Sequence, residues 1–144
     1  MDAIQELKVR AEILHKRLGA GYQRKDCLAM IAAEFGFPNW PAAKAAISGA
    51  EAVDFGTLLY PSACAHINLW YARYDEAAAV RAGRQGYLLG YKKQFLVVDR
   101  YFIKSLGLDP DDEDWRGIGY DWIRPLNPSA RTRLYGKLIA LRSR

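Results

Sequence analysis

The sequence predicts a mainly α-helical protein of the α+β class. We expect a three-helix, helix-turn-helix-like unit over residues 1–50, packed on a helical body over residues 56–144 that carries a small two- or three-stranded antiparallel sheet. Three observations lead to this prediction. Apolar residues recur at intervals of three and four through most of the chain. Glycines and helix-capping residues divide the first 50 residues into three short segments. Between residues 87 and 98 the pattern changes to two β-prone runs.

The N-terminal unit is predicted from local signals. A first helix over residues 3–18 ends at the Gly-Ala-Gly of 19–21, because glycine adopts the left-handed conformation that ends a helix. A second helix over 24–35 ends at Gly36. Asn39 is placed to cap a third helix, which is rich in alanine and ends at Ser48 and Gly49. Because alanine permits close approach of backbones, we expect this third helix to pack internally.

A family resemblance covers residues 7–49, under a third of the chain. An alanine-rich helix is followed by Gly36, Phe37, Asn39 and Trp40 and then by a second alanine-rich helix. This pattern resembles the small helical module at the N-terminus of bacterial glyoxalase-related proteins and of other bacterial proteins. The resemblance implies a bacterial protein. It does not imply glyoxalase activity, because no His/Glu metal pattern follows and no catalytic residues are assigned to the module. The remainder resembles bacterial proteins of unknown function, which implies nothing about mechanism.

The body begins with the longest predicted helix, residues 62–82, whose aromatic stripe includes Trp70, Tyr71 and Tyr74. A hairpin follows, with strands over 87–91 and 95–98. We expect a loop longer than two residues between them, because Lys92 and Lys93 are unfavourable in a two-residue turn.

The last third is predicted to hold a short helix over 100–106, a helix that starts at Asp109-Pro110, a strand over 119–125 and a final helix after Asn127-Pro128. The acidic run from Asp109 to Asp114 is interpreted as the negatively charged first turn of a helix. Along the final helix, Ala130, Leu134, Leu138 and Leu141 are expected to face inward. Arg131, Arg133, Lys137 and Arg142 are expected to face solvent.

Composition excludes several classes of protein. With 144 residues, 51% of them apolar, the chain can bury a core without a metal or disulfide. No apolar run approaches the roughly 20 residues that span a membrane, so we expect a cytoplasmic protein that does not contact membranes. A four-ligand zinc site would need both cysteines and both histidines, so no metal is expected. No cofactor motif is present, and no cofactor is expected.

The charge distribution favours a binding function. The formal net charge is +5, and from Ile123 onward there are six Lys/Arg residues and no acidic one. A basic surface attracts nucleic acids and acidic proteins, although a merely solvated face is the structural alternative. We predict a non-enzymatic bacterial binding protein that contacts a protein or nucleic-acid partner through this basic C-terminal face. The residues predicted to bind are Tyr91, Lys92, Lys93, Arg131, Arg133 and Lys137. Tyr91 and Tyr135 are the aromatic residues most expected to be exposed.

Two other functions stay open. The third helix could read DNA, with Asn39, Lys44 and Ser48 as its polar residues, although it lacks the arginine that most often contacts bases. A small enzyme could instead gather His66, Tyr91 and Asp121 in a cleft between the long helix and the hairpin. No phosphate-binding loop, nucleophile elbow or zinc-protease motif supports an enzyme, and no catalytic residue is assigned.

Overall fold

The computed structural model describes residues 2–49, 52–60 and 69–144 and confirms the mainly α-helical, α+β class. In this part of the chain the helices are α1 (Ala3–Leu18), α2 (Arg24–Glu34), α3 (Trp40–Ile47), α4 (Tyr74–Arg84), α5 (Arg100–Ser105), α6 (Glu113–Gly117) and α7 (Pro128–Ala140). The strands are β1 (Leu69–Tyr71), β2 (Tyr87–Tyr91) and β3 (Gln94–Val98). No helix in the described ranges is long and apolar enough to cross a membrane.

The N-terminal helices form where the local signals predict them. Asp2 caps α1 through a capping box, and the side chain of Asn39 accepts a hydrogen bond from the Ala42 amide at the start of α3 (2.8 Å). On α3, Ala43 and Ala46 are completely buried, as expected for a helix whose alanines pack against other backbones. Short-range capping chemistry therefore accounts for this unit.

The sheet is antiparallel with the order β1-β3-β2, and it separates two apolar layers. Trp70 and Leu89 both lie opposite Leu96, so they share the face that packs on the main core. The other face presents Leu88 and Val97 to Ala77 of α4, which forms a smaller cluster. The two sheet faces are thus covered by different helices.

The predicted long helix is wrong over residues 69–73; its part over 62–68 lies outside the described residues. Leu69–Tyr71 forms β1, and a new helix begins at Tyr74. The aromatic residues that suggested a helical stripe alternate instead: Trp70 packs on Tyr60 and Tyr91, while Tyr71 packs on the α4 side. Pairing with β3 satisfies the backbone of this segment, and helical spacing alone could not reveal that pairing.

The hairpin turn is shorter than predicted. Tyr91 pairs directly with Gln94, which leaves Lys92 and Lys93 as a two-residue turn. Lys92 adopts a positive φ of 52°, a conformation unfavourable for a lysine. Its amide donates to the carbonyl of Gly56 (2.7 Å), and its carbonyl accepts from the amide of Phe55 (2.9 Å). These contacts with the connecting segment hold the turn in place.

The connecting segment also joins the N-terminal unit to the sheet. The amide of Thr57 donates to the carbonyl of Gly36 (3.0 Å), and the two backbones approach so closely that a Cβ on Gly56 would lie 2.3 Å from that oxygen. One continuous hydrophobic cluster therefore runs from α1 and α2 through the sheet to α7, with Leu7, Phe35, Leu89 and Leu134 among its members.

Two predictions for the last third are corrected. The turn at Asp109-Pro110 precedes α6, which begins only after its cap, Asp112. The strand expected over 119–125 is reduced to one parallel bridge between Leu88 and Asp121, because Tyr120 adopts a positive φ of 57° that breaks the extended conformation.

Helix α7 packs between α6 and the N-terminal unit. Arg10 of α1 is buried and donates to the carbonyls of Ile139 (3.1 Å) and Arg142 (2.6 Å). A guanidinium at this position supplies donors and positive charge to the end of a helix whose last carbonyls lack internal partners. Helix α1 is therefore packed against the C-terminal end of α7.

Candidate anion-binding cleft

Part of the basic face predicted from the sequence is neutralised within the molecule. Arg133 forms an ion pair with Asp114 (2.9 Å), and Lys137 contacts both Asp112 and Asp114. The hydrogen bond from Arg133 lowers the pKa of the Asp114 carboxyl below its usual value, against the opposing effect of burial. In the described part of the chain, no three potential metal-ligating His, Cys, Asp or Glu side chains come together. The acidic run thus serves as the counter-charge of α7.

The charges at the chain end also have partners. Arg144 pairs with Glu6 (2.7 Å), and Arg142 donates to the carbonyl of Glu34 (2.6 Å). Hydrogen bonds from Arg144 and Arg10 outweigh the effect of burial and lower the pKa of Glu6 from 4.5 to about 2. Although Arg142 is exposed as predicted, its guanidinium lies over the Phe35 ring, 4.8 Å from the centroid. Arg142 and Arg144 therefore mainly make contacts within the molecule.

Tyr91 belongs to an aromatic cluster on the core side of the sheet. Its ring lies 5.5 Å from both Tyr60 and Trp70, and those two rings are 5.0 Å apart. The ammonium of Lys92 lies 5.5 Å from the Tyr91 centroid. Tyr91 is half-buried, whereas Tyr135, which we also expected to be exposed, is completely buried.

Two of the predicted binding residues, Lys93 and Arg131, line one cleft. The cleft has a volume of about 550 Å³, within the range of small-ligand sites. It lies between the hairpin, the segment that follows α3, the loop before α7 and the first turn of α7. A third cation, Arg124, completes its charged lining. No carboxylate is among its lining residues in the described ranges. Its apolar walls come from Val53, Phe55, Phe95, Ile123, Pro125 and Pro128.

Arg131 is the recessed cation of this cleft, and the expectation that it faces solvent is wrong. Only 1% of the residue is exposed, because the neighbouring Ala130 and Leu134 bury this side of α7 in the core. Its Nη1 donates to the carbonyls of Trp122 (2.6 Å) and Ile123 (3.4 Å), while Nε has no hydrogen-bond partner. Burial lowers the pKa of the guanidinium, and electrostatic interactions with Tyr135 and Asp121 oppose that shift. Burying a charge that has no ion-pair partner in the described part of the chain is costly.

Arg124 is held at the cleft by a small polar network. Its guanidinium lies over the ring of Tyr74, 4.0 Å from the centroid. The Tyr74 hydroxyl donates to Asp121, whose other carboxylate oxygen accepts from the amides of Ile123 and Arg124 (2.9 Å each). Burial and then the bond to Asp121 raise the pKa of Tyr74 to about 12. Asp121 therefore fixes the loop that presents Arg124.

The residues of the enzyme hypothesis are not all brought together. Asp121 bonds to Tyr74, which packs on the α4 side of the sheet, whereas Tyr91 lies on the opposite face. His66 lies outside the described residues. Asp121 in this arrangement orients a loop and a tyrosine.

Helix α3 offers few groups for reading DNA. The side chain of Asn39 is engaged as the helix cap, and three of the eight residues are buried against the core. Lys44 is the exposed cation of this helix. Sequence-specific DNA binding through α3 stays a prediction without a geometric feature that favours it.

The sequence interpretation missed Arg124 and Tyr74 as site residues. The signal was present in "DWIRP", where Asp121 stands two and three residues before the amides that it accepts from, a typical Asx-turn spacing. Nothing local indicated that Tyr74, 47 positions earlier, would meet that carboxylate.

Comparison with protein-family models, curated proteins and solved structures gives no match to this chain.

Proposed function

We propose that this protein is a non-enzymatic binding protein that takes an anionic side chain of a protein partner into the cleft of Lys93, Arg124 and Arg131. The observation that carries the proposal is the buried guanidinium of Arg131, which lines the cleft and has no carboxylate bound to it in the described part of the chain. A guest anion would supply the missing counter-charge and accept the unused hydrogen bonds.

The position of Arg131 favours a flexible protein segment over nucleic acid. A guanidinium that is 1% exposed is reached only by a group that protrudes into the cleft. Duplex phosphates are part of a continuous, stiff backbone, whereas an anionic side chain projects on its own flexible stem. Apolar surface at the cleft also suits a polypeptide: Val53 in the lining and Leu126 beside Pro125 are 74% and 81% exposed.

We propose in addition that the protein acts in the cytoplasm. The thiol of Cys27 is buried and unpaired, as is usual for a protein of a reducing compartment.

The test is fluorescence anisotropy with three labelled peptides of one leucine- and glycine-rich sequence, which carry serine, glutamate or phosphoserine at the central position. We expect at least one anionic peptide to bind and the serine peptide to bind at least about tenfold more weakly, as for the loss of a charge-assisted contact. The double variant Lys93→Glu/Arg124→Glu should remove the difference.

The matched control is Lys8→Glu/Lys44→Glu, which changes the net charge equally at exposed cations outside the cleft. It should leave peptide binding within about twofold, because screened, distant charges contribute little. If neither anionic peptide binds, or if both double variants lose binding equally, the proposal is wrong. Tighter, cleft-dependent binding of a single-stranded RNA of similar length would replace it with the nucleic-acid function.

A further inference from the structure

The cleft carries more positive charge than one carboxylate can balance. Lys93, Arg124 and Arg131 contribute three cations to the lining. Asp121, which is not a lining residue, is the carboxylate that interacts electrostatically with Arg131. Asp121 is already occupied by the Tyr74 hydroxyl and two backbone amides. The remaining excess is at least two positive charges.

The cleft also offers more hydrogen-bond donors than one carboxylate can accept from. On Arg131, Nη1 is engaged by carbonyls, while Nε is buried without a partner. Arg124 donates its backbone amide to Asp121, while its guanidinium lies over the Tyr74 ring and forms no ion pair within the described residues, so its N–H groups are available to a ligand. A planar guanidinium pairs with two oxygens of one anion, and two such groups with a lysine suit an anion of three oxygens.

We propose that the cleft selects a phosphate monoester dianion, as carried by a phosphorylated side chain, over a carboxylate. This inference rests on the proposed function, since it names the anion that the partner presents. A phosphate monoester carries about −1.5 to −2 charges near pH 7 and three acceptor oxygens. It therefore matches both the charge excess and the donor set, whereas a carboxylate offers one charge and two acceptor oxygens to three cations.

The apolar walls agree with a phosphorylated side chain on a polypeptide. Phe55 and Phe95 form walls beside the charged group, and Tyr74 lies edge-on to Phe95 with centroids 6.0 Å apart. Such walls exclude water from one side of a bound anion, which strengthens its hydrogen bonds to the guanidinium groups.

The experiment compares the phosphoserine and glutamate peptides of the anisotropy series, with inorganic phosphate as a competitor. We expect the phosphoserine peptide to bind about tenfold or more tightly than the glutamate peptide, because it adds a charge and an acceptor oxygen. In Arg124→Gln and in Lys93→Gln this ratio should fall several-fold, while Lys44→Gln should keep it. These variants leave Arg131, which is part of the core, unchanged.

The possible results separate the two proposals. Equal binding of the glutamate and phosphoserine peptides overturns the phosphate selection and leaves the proposed function standing. If inorganic phosphate binds in the cleft while neither anionic peptide binds, the cleft takes a free anion and both proposals are wrong. If neither peptide nor phosphate binds, both are wrong. A selectivity ratio that is unchanged in Arg124→Gln and Lys93→Gln also overturns the inference, because the preference then arises elsewhere.

Discussion

At the residue scale, the proposed site depends on the buried guanidinium of Arg131. Arg131 belongs to the run of cations that predicted a basic surface, yet it is buried and bonds to the carbonyl of Trp122. Desolvating a guanidinium costs several kcal/mol unless partners replace its water. The carbonyl bonds replace part of that water, and the anion that we propose replaces more. Binding sites commonly contain residues that lower the stability of the protein in exchange for function.

Lys92 adopts a backbone conformation that has an energetic cost. Its φ of 52° places a side chain in the left-handed region, which costs about 1–2 kcal/mol for a residue other than glycine. Lys92→Gly should remove this strain but lose some chain entropy and the contact of the ammonium with Tyr91. We therefore expect the free energy of unfolding to rise by about 0.5 kcal/mol in urea denaturation.

Lys93→Gly is the control for that measurement, since Lys93 is the other residue of the turn and has no positive φ. It should lower the free energy of unfolding by a few tenths of a kcal/mol, through chain entropy alone. A Lys92→Gly protein that is less stable than Lys93→Gly would contradict the account of the turn.

Among the elements, those whose signals are local could be predicted from the sequence. The three N-terminal helices, α5 and the start of α7 are each determined by a cap or a glycine within a few residues of the helix end. The segment of β1 could not be predicted, because Trp70 takes its conformation from pairing with Leu96, 26 positions later in the chain. The same holds for the cleft: Lys93 and Arg131 could be named as binding residues, but their meeting depends on the packing of the hairpin against α7.

The contact between Gly36 and Gly56 is the element-scale feature most sensitive to substitution. Gly56 has a φ of 60°, and an added Cβ would lie 2.3 Å from the Gly36 carbonyl oxygen. Gly56→Ala should therefore lower the free energy of unfolding by about 2 kcal/mol or more, through strain and separation of the connecting segment from α2.

Gly83→Ala is expected to have the opposite effect on stability. Gly83 lies within α4, and an added Cβ would meet nothing within 4 Å, so alanine should raise stability by about 0.5–1 kcal/mol. Urea denaturation of both variants checks the pair. Equal stability of Gly56→Ala and the wild type would show that the segment does not hold the N-terminal unit to the hairpin.

At the scale of the whole molecule, ion pairs connect segments that are far apart in the sequence. Glu6 receives hydrogen bonds from Arg10 and from Arg144, 138 positions later. Asp112 and Asp114 balance α7 in the same way. The net charge of +5 is therefore a poor measure of the surface offered to a partner. In the proposed site the partner contacts Lys93, Arg124 and Arg131. The cleft that they line has no acidic lining residue in the described ranges.

The Glu6 network predicts a specific response to acid. Because the folded-state pKa of Glu6 is about 2, below its ordinary 4.5, its stabilisation is present above about pH 4.5 and is lost as the pH falls through about 2. Glu6→Gln should therefore lower the free energy of unfolding by about 1 kcal/mol at pH 6, the upper end for such ion pairs. The difference from the wild type should shrink steadily between pH 4.5 and pH 2.

Glu12→Gln is the control for this pH series. The ion pair of Glu12 with Arg24 is largely exposed, so its loss should cost less than about 0.5 kcal/mol at pH 6. Urea midpoints at pH 6, 4 and 2 measure both variants. A Glu6→Gln deficit of the same size at pH 2 as at pH 6 would rule out the ion-pair origin.

The central claim is that an anion enters the cleft and accepts hydrogen bonds from Arg131. The most direct measurement is a ¹H–¹⁵N NMR titration that follows the Nε–H signal of each arginine while the phosphoserine peptide is added to the wild-type protein. We expect the Arg131 signal to shift saturably, with the same dissociation constant as the anisotropy change, while the signal of the exposed Arg17 on α1 stays fixed. An Arg131 signal that does not move when the peptide is bound at saturation would contradict the claim.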